Sequence, residues 1–123
     1  MQSVNVVLLQ SDAGIARSLL SALSTTVRSV HQVNSLGEVR ASIAKHRAGV
    51  AILDIEKASL AEVERLSHDF PAASLVCTHR CADEQMWADA LRAGAADVCP
   101  STDTGQIIRS VLSVTEHARS AAA

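Results

Sequence analysis

The sequence predicts an α/β protein: a five-stranded parallel sheet, strand order 2-1-3-4-5, sandwiched between two layers of helices. Three observations predict it. Short apolar runs alternate along all 123 residues with segments of helical periodicity, five times over and without internal repeats. Three of the runs, 4–9, 50–55 and 73–78, are almost uninterrupted, as strands buried on both faces must be. Helix-start signals follow the runs, and parallel strands joined by crossover helices wind right-handed into covered sheets.

VNVVLL, 4–9, is the first strand by its Val and Leu content. Ile15, Leu19, Leu20 and Leu23 then fall at helical spacing, with Ser11 or Asp12 as N-cap. VRSVHQV, 27–33, alternates poorly and reads as a short edge strand. In SLGE, 35–38, Ser35 and Glu38 form a capping box, opening a helix that buries Leu36, Val39 and Ile43. VAILDI, 50–55, is the third strand. Ser59 and Glu62 make a second box, with Leu60, Val63 and Leu66 inward until the chain reaches Pro71. ASLVCT, 73–78, is the fourth strand. Asp83 caps a helix running through Trp87, Ala90 and Leu91 to Gly94, a usual left-handed stop. ADVC, 96–99, is the fifth strand, and Asp103 with Gln106 starts a last helix that buries Ile107, Ile108, Val111 and Leu112. The arrangement is flavodoxin-like, (βα)5 in three layers, and it gathers functional residues at the carboxyl ends of the strands.

Composition narrows the function. A chain of 123 residues suits one domain, here 1–118, with 119–123 as a tail or the start of a linker. Apolar residues make up 48%, enough for a core, and the 20% charged fraction is too low for a disordered chain. Net charge is −2, so no basic footprint for nucleic acid exists, and one Trp, one Phe and no Tyr offer no platform for stacked bases. No apolar run approaches the ~20 residues of a membrane helix. The start MQSVNVVLLQSD lacks a signal peptide's basic opening and cleavage site, so a cytoplasmic location is expected. Cys77, Cys81 and Cys99 are an odd number in such a chain, which argues against a disulfide framework.

The strand ends carry the chemistry: Gln10, Ser11 and Asp12 after the first, Asp54 after the third, Thr78 after the fourth, and CPST, 99–102, after the fifth. With VAILDIE and ALRAGAADVCPS, these resemble the CheY-like receiver domain of bacterial response regulators over nearly the whole chain. The resemblance implies a place in two-component phosphorelay signal transduction. Asp54 is then the phosphoacceptor position, served by a histidine kinase, and Thr78 supplies the hydroxyl that contacts the phosphoryl group.

Other positions depart from the family. The acidic pair that binds Mg²⁺ falls on Gln10 and Ser11, and the lysine-proline pair on Ser101 and Thr102. The aromatic switch residue falls on Val98, and the loop IEKAS lacks the usual proline and glycine. Phosphoryl transfer relies on a metal and a cation to neutralise charge on the transferred oxygens. Mg²⁺ prefers carboxylates, so an amide and a hydroxyl replace them poorly. Loss of one aligned electrostatic donor typically costs about 2.7–4 kcal/mol in the barrier. An atypical receiver is therefore expected: not an enzyme, without a cofactor, and regulating a protein partner or effector domain independently of phosphate. The alternative is an active phosphorelay receiver with Mg²⁺ held by Asp12, Asp54 and Glu56 and a replacement cation from Lys57 or Arg80. A homodimer through the fourth helix, fifth strand and fifth helix is implied by family precedent; binding to membranes or nucleic acid is not expected.

LRAGAADVCPSTDTGQIIRSVL also resembles the atypical receiver of CpaE-type pilus-assembly ATPases, where such a domain helps place a nucleotide-binding domain; no P-loop occurs in this chain. CTHRC, 77–81, with Cys99 invites a metal, but no C-x₂-C pair is present and apolar-strand cysteines are mostly core residues. The histidines at 31, 46, 68, 79 and 117 are scattered. QSDAGIA has too few hydroxyls for a flavin phosphate loop, and no dinucleotide fingerprint occurs.

Overall fold

The computed structural model describes residues 2–122 of the chain, with side chains characterised over 3–117. Strands and helices alternate as β1 (Gln2–Leu9), α1 (Ala13–Ser24), β2 (Val27–Val33), α2 (Leu36–His46), β3 (Val50–Asp54), α3 (Leu60–Asp69), β4 (Ser74–His79), α4 (Glu84–Arg92), β5 (Asp97–Pro100) and α5 (Thr104–Ala122). All neighbouring strands pair in parallel, in the order β2-β1-β3-β4-β5. The expected flavodoxin-like sandwich is the observed one. The expected domain boundary at 118 lies within α5, and residue 123 lies outside the described residues.

Alternation along each strand sorts its side chains into two cores. On one face Val6, Leu8, Ile52, Val76 and Cys99 pack against Leu19 and Leu23 of α1 and Ile107 and Val111 of α5. On the other, Val7, Leu53, Leu75, Cys77 and Val98 meet Val39 and Ile43 of α2, Val63 and Leu66 of α3 and Ala90 of α4. All five residues of β3 are buried, which explains its unbroken apolar run and makes the carboxylate at its end conspicuous.

Local signals place the helices. Asp12, the second of the two candidates, caps α1 through the amides of Gly14 and Ile15. Ser59 and Glu62 form both halves of a capping box, worth about 1 kcal/mol for the cap alone. Ser35 and Glu38 form one half: Ser35 Oγ accepts from the Glu38 amide, while the Glu38 carboxylate lies on that hydroxyl instead of the Ser35 amide. Leu20, Leu91, Ile108 and Leu112 are only partly buried, because they stand at the borders of their apolar stripes. β5 runs one residue later than the sequence predicts and ends in Pro100; a residue without an N–H is tolerated there because β5 is an edge strand. Among the described residues no helix is long and apolar enough to cross a membrane.

Candidate functional site

The carboxyl ends of β1, β3, β4 and β5 meet at one edge of the sheet. Asp54 pairs in register with Thr78, and Thr78 with Cys99. In that register Gln10, Asp54, Thr78 and Ser101 continue the rows of side chains on the α1 and α5 side. The sequence-predicted positions are thus brought together, with Val98 alone facing the opposite core.

Asp54 is fully buried, and both of its carboxylate oxygens are engaged. Oδ1 accepts from the Glu56 amide at 2.9 Å, an Asx turn that starts the loop after β3. The Asp54 carbonyl closes the same loop by accepting from Lys57 and Ala58 at 2.9 and 3.1 Å. Oδ2 reaches across to the loop after β1, where it accepts from the Ser11 amide at 3.1 Å and from the Ser11 hydroxyl. The carboxylate therefore ties two loops together beneath a seal made by Ser11.

The residues that the sequence resemblance sets at metal positions are similarly occupied. Gln10 Oε1 accepts from the Asp12 amide at 3.1 Å, which leaves its Nε2 donor buried and without a partner. Asp12, offered by the sequence as a rescue ligand, spends Oδ1 on capping α1. Glu56 Oε1 accepts from Arg80 Nε and Nη2 at 3.1 and 3.0 Å. A divalent ion needs several oxygens free to face it; this donor set, with an amide donor pointing inward, does not fit one. Among the described residues no three His, Cys, Asp or Glu side chains converge as metal ligands.

Buried orphans mark the same place. Among the described residues, the buried side-chain polar atoms without a partner are Gln10 Nε2, Thr78 Oγ1 and Ser101 Oγ. All three belong to positions singled out from the sequence. Each unpaired buried group costs about 1–3 kcal/mol, so their clustering marks a polar site. Beside Gln10 opens a cavity of about 180 Å³, lined also by Ser11, Asp12, Ile15, Glu56 and Arg80. Of the two candidate cations Arg80 is the one at this mouth; Lys57 is exposed in the turn and makes no ion pair among the described residues.

The cysteine motif separates in space. Cys77 faces one core and Cys99 the other, while Cys81 is exposed. Burial pushes the Cys77 thiol up to about 12 and the Cys99 thiol to about 11. His79 Nδ1 accepts from the Cys81 amide at 2.9 Å, leaving Nε2 4.0 Å from Glu56. Sequence reasoning missed a histidine pair: His31 of β2 and His46 at the end of α2 stack with ring centroids 3.6 Å apart. Burial, then the His46 and Lys45 charges, hold His31 below the usual histidine range. Only the pairing of β2 beside α2 brings these residues together, and no sequence spacing announces it.

No protein-family model matches the sequence, and no curated protein matches it. Solved structures do. The chain is similar to a CheY-like response regulator receiver domain protein from Methanospirillum hungatei JF-1, at 15% identity and TM-score 0.83, covering 97% of this chain and 98% of that one. A response regulator from Thermotoga maritima is similar at 15% identity and TM-score 0.82, covering 93% and 98%. The receiver domain of the Francisella response regulator 1452 follows at 12% identity and TM-score 0.82, covering 94% and 98%. The fold is that of response-regulator receiver domains.

Proposed function

We propose that this chain is an atypical receiver domain, a signalling module that works through protein contacts and not through a phosphorylated aspartate. One observation carries the reading: Asp54 is fully buried, and hydrogen bonds from Ser11 and Glu56 take up both carboxylate oxygens. A nucleophile must present a free oxygen to the incoming phosphorus, in line with the leaving group. Here the positions of the metal-binding acidic pair hold Gln10 and Ser11 and that of the lysine holds Ser101, so neither a metal nor an ammonium is supplied there to offset the charge of a phosphoryl group. The module needs neither Mg²⁺ nor catalysis in this reading.

The contact surface is the face made by α4, β5 and α5. Trp87, 49% exposed, is the large hydrophobic residue left open to solvent among the described residues. It borders a groove of about 500 Å³ lined by Ala82, Asp83, Glu84, Val98, Pro100 and Gln106. An exposed indole beside an apolar groove is the composition of an interface anchor. A partner protein, an effector domain or a second copy of the chain fits such a face.

The decisive experiment is incubation with acetyl phosphate and Mg²⁺, read by intact mass. No phosphoryl adduct is expected. An adduct that disappears in Asp54→Asn would overturn the reading in favour of a phosphorelay receiver. One observation favours that second reading: the Thr78 hydroxyl beside Asp54 is left without a partner, ready to donate to a phosphoryl oxygen once Ser11 lifts away.

A further inference from the structure

We infer that Arg80 is a tethered counter-cation: its guanidinium sits at the cavity mouth on Glu56, beside Asp12, and takes the place that a free divalent ion would need. The cavity is small, about 180 Å³, and its charged lining consists of Asp12, Glu56 and Arg80. Two carboxylates with a third, Asp54, beneath the floor form a concentration of negative charge that requires compensation. Arg80 supplies it with two donors on one Glu56 oxygen, at 3.1 and 3.0 Å. A guanidinium is charged at any physiological pH, and the hydrogen bond and attraction to Glu56 push its pKa higher still.

The floor agrees with a site closed to free metal. Gln10 turns an unpartnered, buried Nε2 donor toward the interior, and its oxygen is held by the Asp12 amide. The Ser11 hydroxyl donates a hydrogen bond to Asp54. An arginine is tied to the chain and cannot be diluted away, so charge balance at the mouth becomes independent of metal concentration. As an isolated surface ion pair, with Arg80 68% exposed, the contact would contribute little to stability. Its role is to exclude a cation. The exclusion is independent of the choice of docking face and rests on the proposed reading of a receiver site without Mg²⁺.

Mn²⁺ alone is the probe, because it shares the oxygen preference of Mg²⁺ and its free-ion electron paramagnetic resonance signal reads occupancy directly. Wild type and Arg80→Lys should bind weakly and alike. Arg80→Ala and Arg80→Gln should bind at least about tenfold more tightly, about 1.4 kcal/mol, since two carboxylates lose their tethered partner. Glu56→Gln in the Arg80→Ala background should abolish the gain. Affinities within about twofold in wild type, Arg80→Ala and Arg80→Gln overturn the inference, and so does a gain that survives Glu56→Gln. Arg80 is on the surface, so the variants keep the fold; Mn²⁺ binding reads cation occupancy directly, whereas the adduct assay reads Asp54.

Discussion

Replacing Asp54 by alanine separates a structural tie from a waiting nucleophile by the sign of its effect on stability. The buried carboxylate accepts from the Ser11 amide and hydroxyl and from the Glu56 amide. Hydrogen bonds to a charged group contribute about 1.5–3 kcal/mol each when the partners stay buried. Ser11 is exposed and its two donors return to water after the substitution, which reduces their share to about 0.5–1 kcal/mol each. The Glu56 amide, set in the turn, contributes about 1–2 kcal/mol. Asp54→Ala should therefore lose about 2–4 kcal/mol, a fall in Tm of about 10 °C for a domain of this size. An unpaired carboxylate crowded by Asp12 and Glu56 would behave oppositely, since its removal relieves repulsion. Urea unfolding followed by circular dichroism, with unchanged m-values, measures the difference. A loss below about 0.5 kcal/mol, or any gain, refutes the tie. Ser11→Ala should cost about 1 kcal/mol and couple to Asp54→Ala in a double-mutant cycle by a similar amount.

Thiol reactivity follows burial. At about pH 8 a disulfide reagent should label Cys81 alone in the native protein and all three cysteines after unfolding, because the buried thiols ionise only near 12 and 11. Rapid native labelling of Cys77 contradicts this. Gly94 has φ +110°, and a Cβ there would lie 2.6 Å from Ser67 Cβ and closer still to its hydroxyl. Gly94→Ala should cost at least about 2 kcal/mol in urea unfolding, only part of it restored by Ser67→Gly, since the backbone strain persists. Folded His31 binds its proton less tightly than the unfolded chain, so the unfolded state carries more protons around and below the ordinary value of 6.5. Stability should be full well above that value and fall as pH drops through and below it. His31→Gln should flatten that slope, and an unchanged slope would remove His31 from the account.

The amino-acid order by itself determined the architecture. Apolar runs bounded by turn residues fix five strands, and Ser59, Asp83 and Asp103 announce their helices because caps act within a single turn of chain. It also determined which residues stand at the strand ends, since a parallel sheet must deliver Gln10, Asp54, Thr78 and Ser101 to one edge. The state of those residues belongs to tertiary structure. The Ser11 seal over Asp54 joins loops 43 residues apart, and Arg80 meets Glu56 across 24. The stack of His31 on His46 depends likewise on how β2 lies against the end of α2. Local propensity and periodicity act over a few residues, whereas hydrogen bonding and charge compensation depend on which side chains share space after folding. Position was therefore legible in the sequence, and occupancy of the site was decided only when the sheet brought its loops together.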